Sequence, residues 1–283
     1  MGPAAGERRH LCPGCAARVR KPSHPLCPRC EAPLSAGSAA GGSSAETPAG
    51  TPAGAPAGAS AGTPTGASAG AAPSTCPECE AWPGVIRSAR AAALLLPPAD
   101  DLVHALKYGG WPEAAEEMAR GMVGLLPRPE PGGRTLLVPV PTTPDRARRR
   151  GYNQAEILAQ TLARRGGAAV CPGLVRIRAS GSQVSLHRDE RMANVSGAFE
   201  SVSGAFSGVS PLDRVVLLDD VLTTGATASA AATALEEGGL GAVHLVTYGR
   251  ALPEREAGAA TSAPAPGYFK NWLRSGGKPR SMR

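Results

Sequence analysis

The stretch Val215–Ala230 reads VVLLDDVLTTGATASA. Four apolar residues lead into Asp219 and Asp220, and Thr223, Thr224, Gly225, Ala226 and Thr227 follow. Two adjacent carboxylates repel each other unless hydroxyls or a cation satisfy them. A sugar diol, or Mg²⁺ with its water, would do so. The threonine-rich loop offers hydroxyls and free backbone N–H groups just where a helix begins, and a helix N-terminus favours phosphate. Gly225 lets the backbone approach closely and adopt positive φ. One strand–loop–helix unit is thereby suited to hold a ribose on its carboxylates and a 5′-phosphate in its loop. The competing reading is a solvated aspartate pair ahead of a threonine-capped helix.

Two other clusters carry chemistry. Arg146, Arg148, Arg149 and Arg150 follow the apolar run TLLVPVP and read as a cationic loop. The forked donors of arginine suit phosphate oxygens. Asn153 and Gln154, just beyond, either bond a substrate or cap the next helix. The cysteines form three CxxC pairs, Cys12/Cys15, Cys27/Cys30 and Cys76/Cys79, with Cys171 alone. A tetrahedral zinc takes two pairs, so three leave one over. Cys12/Cys15 with Cys27/Cys30 would make a compact ribbon with an eleven-residue spacer. Cys27/Cys30 with Cys76/Cys79 would enclose a long insertion, and loop closure grows only logarithmically with length. Cys171 reads as a small, buried residue.

The elements that must position these groups are legible from periodicity. ADDLVHALKYGG sets Leu102, Val103 and Leu106 on one helical face, and Gly109 and Gly110 stop it. Thr135 to Pro141 reads as a short buried strand, YNQAEILAQTLARR as a helix, RVVLLDD as a second strand, TASAAATALEEGG as a helix ending at Gly238, and AVHLVTYG as a third strand. Strands alternating with helices imply an α/β fold, a parallel sheet flanked by helices. Between Ser35 and Thr75 lies a Gly/Ala/Pro/Ser/Thr tract with no bulky side chain to bury, expected to be disordered. The tail beyond Ala251 is Pro/Gly-rich and basic, and is expected to be mostly disordered.

Bulk composition narrows the classes. Of 283 residues, 42% are hydrophobic but only 4% aromatic, so the core must be built from Ala, Val and Leu. A net charge of +7 favours anionic partners. No run approaches the ~18 apolar residues of a membrane span, and the N-terminus lacks a secretory h-region. A cytoplasmic protein without membrane insertion is expected, with its cysteines serving a metal rather than disulfides.

VVLLDDVLTTGAT resembles the phosphoribosyl-pyrophosphate (PRPP) motif of type I phosphoribosyltransferases. LVHALKYGG, LVPVPTTPDRARRRGYNQAEILA, SQVSLHRDERMANVSGAF and the upstream cysteine pairs narrow the resemblance to the ComF family. It extends from Cys12 to Arg250, interrupted by the repeat tract. It implies a zinc-ribbon segment in 1–34 and 74–82, an insertion over 35–73, a phosphoribosyltransferase-like domain over 83–252 and a basic tail over 253–283. It implies structural zinc on Cys27, Cys30, Cys76 and Cys79, with Cys12 and Cys15 as remnants of an upstream ribbon. It implies Mg²⁺ bound with PRPP, Asp219 and Asp220 on the ribose, and Thr223 to Thr227 on the 5′-phosphate. Arg146, Arg149 and Arg150 would take the pyrophosphate, and Lys107-Tyr108 would reach the site. Gln183, Arg188, Arg191 and Asn194 would belong to a lid closing over PRPP. The implied activity is phosphoribosyl transfer to an unidentified acceptor. The implied partners are PRPP, single-stranded DNA or a DNA-uptake helicase, and a second copy in a homodimer. A PRPP-sensing regulator without turnover is the third implied role.

Overall fold

The computed structural model describes residues 11–23, 25–34, 76–178 and 197–252. Helix α1 is Pro13–Arg18, and strand β1 is Ile86–Leu94. Helices α2 (Ala99–Tyr108) and α3 (Ala114–Met122) lead to β2 (Thr135–Pro139). Then come α4 (Pro144–Arg150), α5 (Gln154–Gly166) and the short strands β3 (Ala169–Val170), β4 (Leu174–Arg176) and β5 (Phe199–Ser201). Strand β6 (Arg214–Leu222), helix α6 (Ala226–Glu237) and strand β7 (Val243–Arg250) follow. The main sheet is parallel, in the order β1-β7-β6-β2-β3, and β4 and β5 form a separate antiparallel pair. The repeat tract, the central part of the expected lid and the basic tail lie outside the described residues.

Side chains alternate across a strand, and β6 feeds two different cores. Val215 and Leu217 join the alanine face of α6 (Ala228, Ala231, Ala232 and Leu235). Val216 and Leu218 join α2, α3 and α5 through Leu102, Met118 and Leu158. Helices therefore cover both faces, as an all-parallel sheet requires. The apolar faces expected for α2, α5 and α6 are the buried ones.

Three features depart from the sequence reading. The arginine run is not a loop but helix α4. Thr143 caps it by accepting the Arg146 N–H on its hydroxyl at 3.3 Å, Pro144 occupies its first turn, and Gly151 ends it at φ 83°. Its sequence has no apolar periodicity, so only the Thr-Pro-Asp start signals it. Strand β6 also continues two residues beyond the aspartates, to Leu222, because Val221 and Leu222 still pair with Gly249 and Arg250. The third concerns β1, a strand that sequence does not announce because its alanine-rich run lacks the β-branched signature.

Strand β1 is an edge, and edges with unpaired N–H groups invite foreign pairing. Here the N-terminal segment covers it. The Ala89 and Leu94 N–H groups donate to the carbonyls of Arg29 and Arg20, each at 2.7 Å. The Ala91 N–H donates to Glu31 Oε2 at 3.1 Å.

Candidate functional site

Strand β6 lies between β2 and β7, so Asp219 and Asp220 stand near the carboxyl end of a central strand, where open α/β sheets hold ligands. Asp219 Oδ1 accepts the Asp220 N–H at 2.8 Å. Lys107, on the last turn of α2, pairs its Nζ with Asp220 Oδ1 at 2.7 Å. Burial first, and the Asp220 charge second, push the Asp219 carboxyl up to about 7, with Lys107 pulling it partly back. Arg176 on β4 stacks over the Phe199 ring at 4.9 Å and lies close enough to feel the charge of Asp219.

The loop after β6 turns sharply. Gly225 sits at φ 82° as the N-cap of α6. Thr224 Oγ1 accepts the Ala226 N–H at 3.4 Å. Trp82 lies against this turn, its indole N–H donating to the Thr224 carbonyl at 3.3 Å. A Cβ on Gly225 would stand 2.5 Å from the indole ring, so the position demands glycine twice over.

Arg146, Arg149 and Arg150 line a cavity of about 520 Å³ with Lys107, Tyr108, Gly110 and Tyr152. Lys107 joins this cavity to the aspartates. The Arg150 guanidinium lies 4.9 Å over the exposed Tyr108 ring, and its Nη1 donates to Gln154 Oε1 at 2.9 Å. Asn153 does not cap α5 with its side chain; its Nδ2 donates to the Val140 carbonyl at 3.2 Å. Arg148 instead pairs with Asp145 in solvent. Gln183, Arg188, Arg191 and Asn194 lie outside the described residues.

The Sγ atoms of Cys27, Cys30, Cys76 and Cys79 all lie within 4.8 Å of one another, and all four residues are buried. Three of the separations are 3.5, 3.8 and 3.8 Å. A disulfide would need ~2.05 Å. Four sulfurs at ~2.3 Å around one tetrahedral ion would stand about 3.8 Å apart. The cluster therefore fits a four-thiolate metal such as zinc. Burial raises the Cys30 and Cys79 thiols, the latter to about 11. At Cys27 the same burial is outweighed by the N–H groups of Cys30 and Arg29, bringing it to about 7. Two buried arginines bring positive charge and donors to the site. Arg250 Nη1 donates to the Cys30 carbonyl at 2.6 Å, with Nη2 3.9 Å from the Cys30 sulfur. Arg29 donates to the Cys79, Pro83, Ile86 and Trp82 carbonyls at 2.7–3.4 Å. Cys12 and Cys15 stand apart from this cluster: the Cys12 thiol caps α1, accepting the Cys15 N–H at 3.3 Å.

No protein-family model matches the chain. Curated proteins do. The DNA utilization protein YhgH of Salmonella typhimurium is 33% identical over 161 residues, which is 55% of this chain and 69% of the relative. Competence protein F of Haemophilus influenzae is 37% identical over 92 residues, 32% of this chain and 39% of the relative. Competence protein ComFC of Bacillus subtilis is 26% identical over 172 residues, 59% of this chain and 68% of the relative. The chain belongs to the ComF family.

Within this ComF-family chain, several site residues have no signal in sequence that singles them out. Trp82 and Arg29 are the nearest to having one, since the first lies three residues after a CxxC pair and the second inside one. Arg176 and Arg250 sit at strand ends with no local motif to mark them. Only the resemblance points to Lys107. Among the described residues, no helix is long and apolar enough to cross a membrane.

Proposed function

We propose that this ComF-family chain binds Mg²⁺-PRPP and transfers its phosphoribosyl group to an acceptor nitrogen. The observation that carries the reading is the juxtaposition at the end of β6. Asp219 lines a small cleft with Thr223, Gly225 and Thr227 at the N-terminus of α6, and Asp220 pairs with Lys107, which lines the neighbouring cavity with three arginines. The donor set fits a hard cation: Asp219 and Asp220 supply carboxylate oxygens beside threonine hydroxyls, and Lys107 pairs directly with Asp220. Mg²⁺ bound with the substrate would add positive charge to the departing pyrophosphate.

The remaining work falls to the chain. Cleavage of the ribose C1–oxygen bond develops cationic character on the ring, as in glycoside cleavage. Asp219 and Asp220 hold the ring hydroxyls and face that charge. Thr223 to Thr227 hold the 5′-phosphate, and Arg146, Arg149 and Arg150 draw off the pyrophosphate. Gln183, Arg188 and Arg191 are proposed to close over the bound substrate and exclude water. Zinc on the four cysteines is proposed as structural, since all four positions of a tetrahedral ion are filled.

A second reading is a role in handling single-stranded DNA during uptake. It is favoured by the names of the relatives and by the net charge of +7. Calorimetric titration with PRPP, with and without Mg²⁺, alongside phosphorus NMR for pyrophosphate, separates the readings. Mg²⁺-dependent binding with pyrophosphate release on adding an acceptor supports transfer. Binding without release supports a sensor. No binding in a folded sample, with salt-sensitive binding of single-stranded DNA, overturns the first reading in favour of the second.

A further inference from the structure

We infer that Trp82 is a positioning residue through which the metal-binding ribbon sets the shape of the loop Thr223–Thr227, so that loss of the metal loosens that loop. As far as it concerns phosphate, this inference rests on the reading of that loop as the 5′-phosphate cradle.

The chain of contacts is continuous. Cys27 and Cys30 belong to one knuckle, Cys76 and Cys79 to the other, and their sulfurs meet in one cluster. Arg29 sits inside the first knuckle and is buried. It grips the exit of the second, its guanidinium donating to the Cys79 carbonyl at 2.8 Å and the Pro83 carbonyl at 2.7 Å. The Trp82 N–H donates to the Cys79 carbonyl at 3.2 Å. The backbone of Trp82 is thus held by both knuckles. Its side chain is only 5% exposed and ends on the loop. There the indole N–H meets the Thr224 carbonyl, and the ring fills the space beside Gly225.

The consequence follows from elementary mechanics of loops. A turn at positive φ has several conformers available to glycine, and a phosphate cradle requires its N–H groups to converge. An indole packed on the turn, tied by a hydrogen bond to the carbonyl preceding Gly225, removes the alternatives before ligand arrives. Preorganisation of this kind lowers the ordering cost of binding. Without metal, four buried thiols lose their common partner, the knuckles separate, and Arg29 and Trp82 lose their anchorage.

Hydrogen exchange on the full-length, metal-loaded chain tests this directly. Trp82→Ala, and separately metal removal with a chelator under reducing conditions, are expected to speed amide exchange across residues 223–227. Exchange across Arg214–Leu218, in the sheet interior, is expected to stay unchanged. Trp82→Phe keeps the ring but loses the donor, and is expected to fall between wild type and Trp82→Ala. Titration with ribose 5-phosphate is expected to show affinity weakened about tenfold in Trp82→Ala. Unchanged exchange at 223–227 in both treatments overturns the inference, as does equal acceleration throughout β6, which marks general unfolding. If exchange at 223–227 responds but the wild-type chain binds no ribose 5-phosphate, the ribbon–loop coupling stands and the PRPP reading falls.

Discussion

At the scale of single residues, the aspartate pair decides how the site behaves with pH. Asp219 holds its proton up to about 7, against about 4 for an unfolded aspartate. Between those values the folded chain binds more protons than the unfolded one. The contribution of Asp219 to stability therefore falls as pH rises from about 4 to about 7, and falls no further above. Asp219→Asn removes this slope, so its melting temperature should exceed that of wild type at pH 8 and approach it near pH 4. Thermal scans across pH, compared between the two proteins, check this. Lys107 works in the opposite sense, because removing it leaves the Asp220 carboxylate buried beside another. Lys107→Met should cost about 3 kcal/mol at pH 8, read from urea titration. The aspartates and threonines draw attention in sequence because two adjacent carboxylates followed by hydroxyls end an apolar run. Lys107 is not legible from its own surroundings, since α2 and β6 are joined only by the tertiary fold.

At the scale of elements, the alanines of α6 set how closely this helix can lie on the sheet. Ala231 and Ala232 are fully buried against the β6 face that carries Val215 and Leu217. Ala232→Leu adds volume where none is free and should destabilise by about 1–3 kcal/mol, measured by chemical denaturation. Helical periodicity exposes α2, α5 and α6 in sequence, because their apolar residues recur on one face. Helix α4 stays hidden because it buries no residue at all, and a helix of arginines has no apolar face to detect. Strand β1 stays hidden because Ala89, Ala91, Ala92 and Ala93 carry the burial that valine or isoleucine would normally signal.

At the scale of the whole molecule, the ribbon and the sheet share one core. Cys27, Cys30, Cys76 and Cys79 pack in the same apolar cluster as Leu217, Leu235 and Leu245. Metal analysis of a Cys76→Ser/Cys79→Ser variant should show one zinc ion fewer per chain, with a lowered melting temperature. A Cys12→Ser/Cys15→Ser variant should keep its full complement. The reverse pattern would assign the metal to the compact N-terminal pair. Spacing leaves both ligand sets open, because sequence does not reveal which knuckles meet across an insertion.

The position of β1 at the sheet edge sets a timetable for the newborn chain. Its one neighbour in the sheet is β7, whose last residue, Arg250, also reaches back to the Cys30 carbonyl. The ribosome makes both cysteine knuckles and β1 before β7, so β1 has no partner within the sheet until the last strand has emerged from the exit tunnel. For most of translation, then, the four thiols wait near a solvated strand, exposed to metal capture and to oxidation alike. A nascent chain stalled before residue 243 should keep that strand unpaired and digestible by protease, whereas one stalled well beyond residue 252 should not.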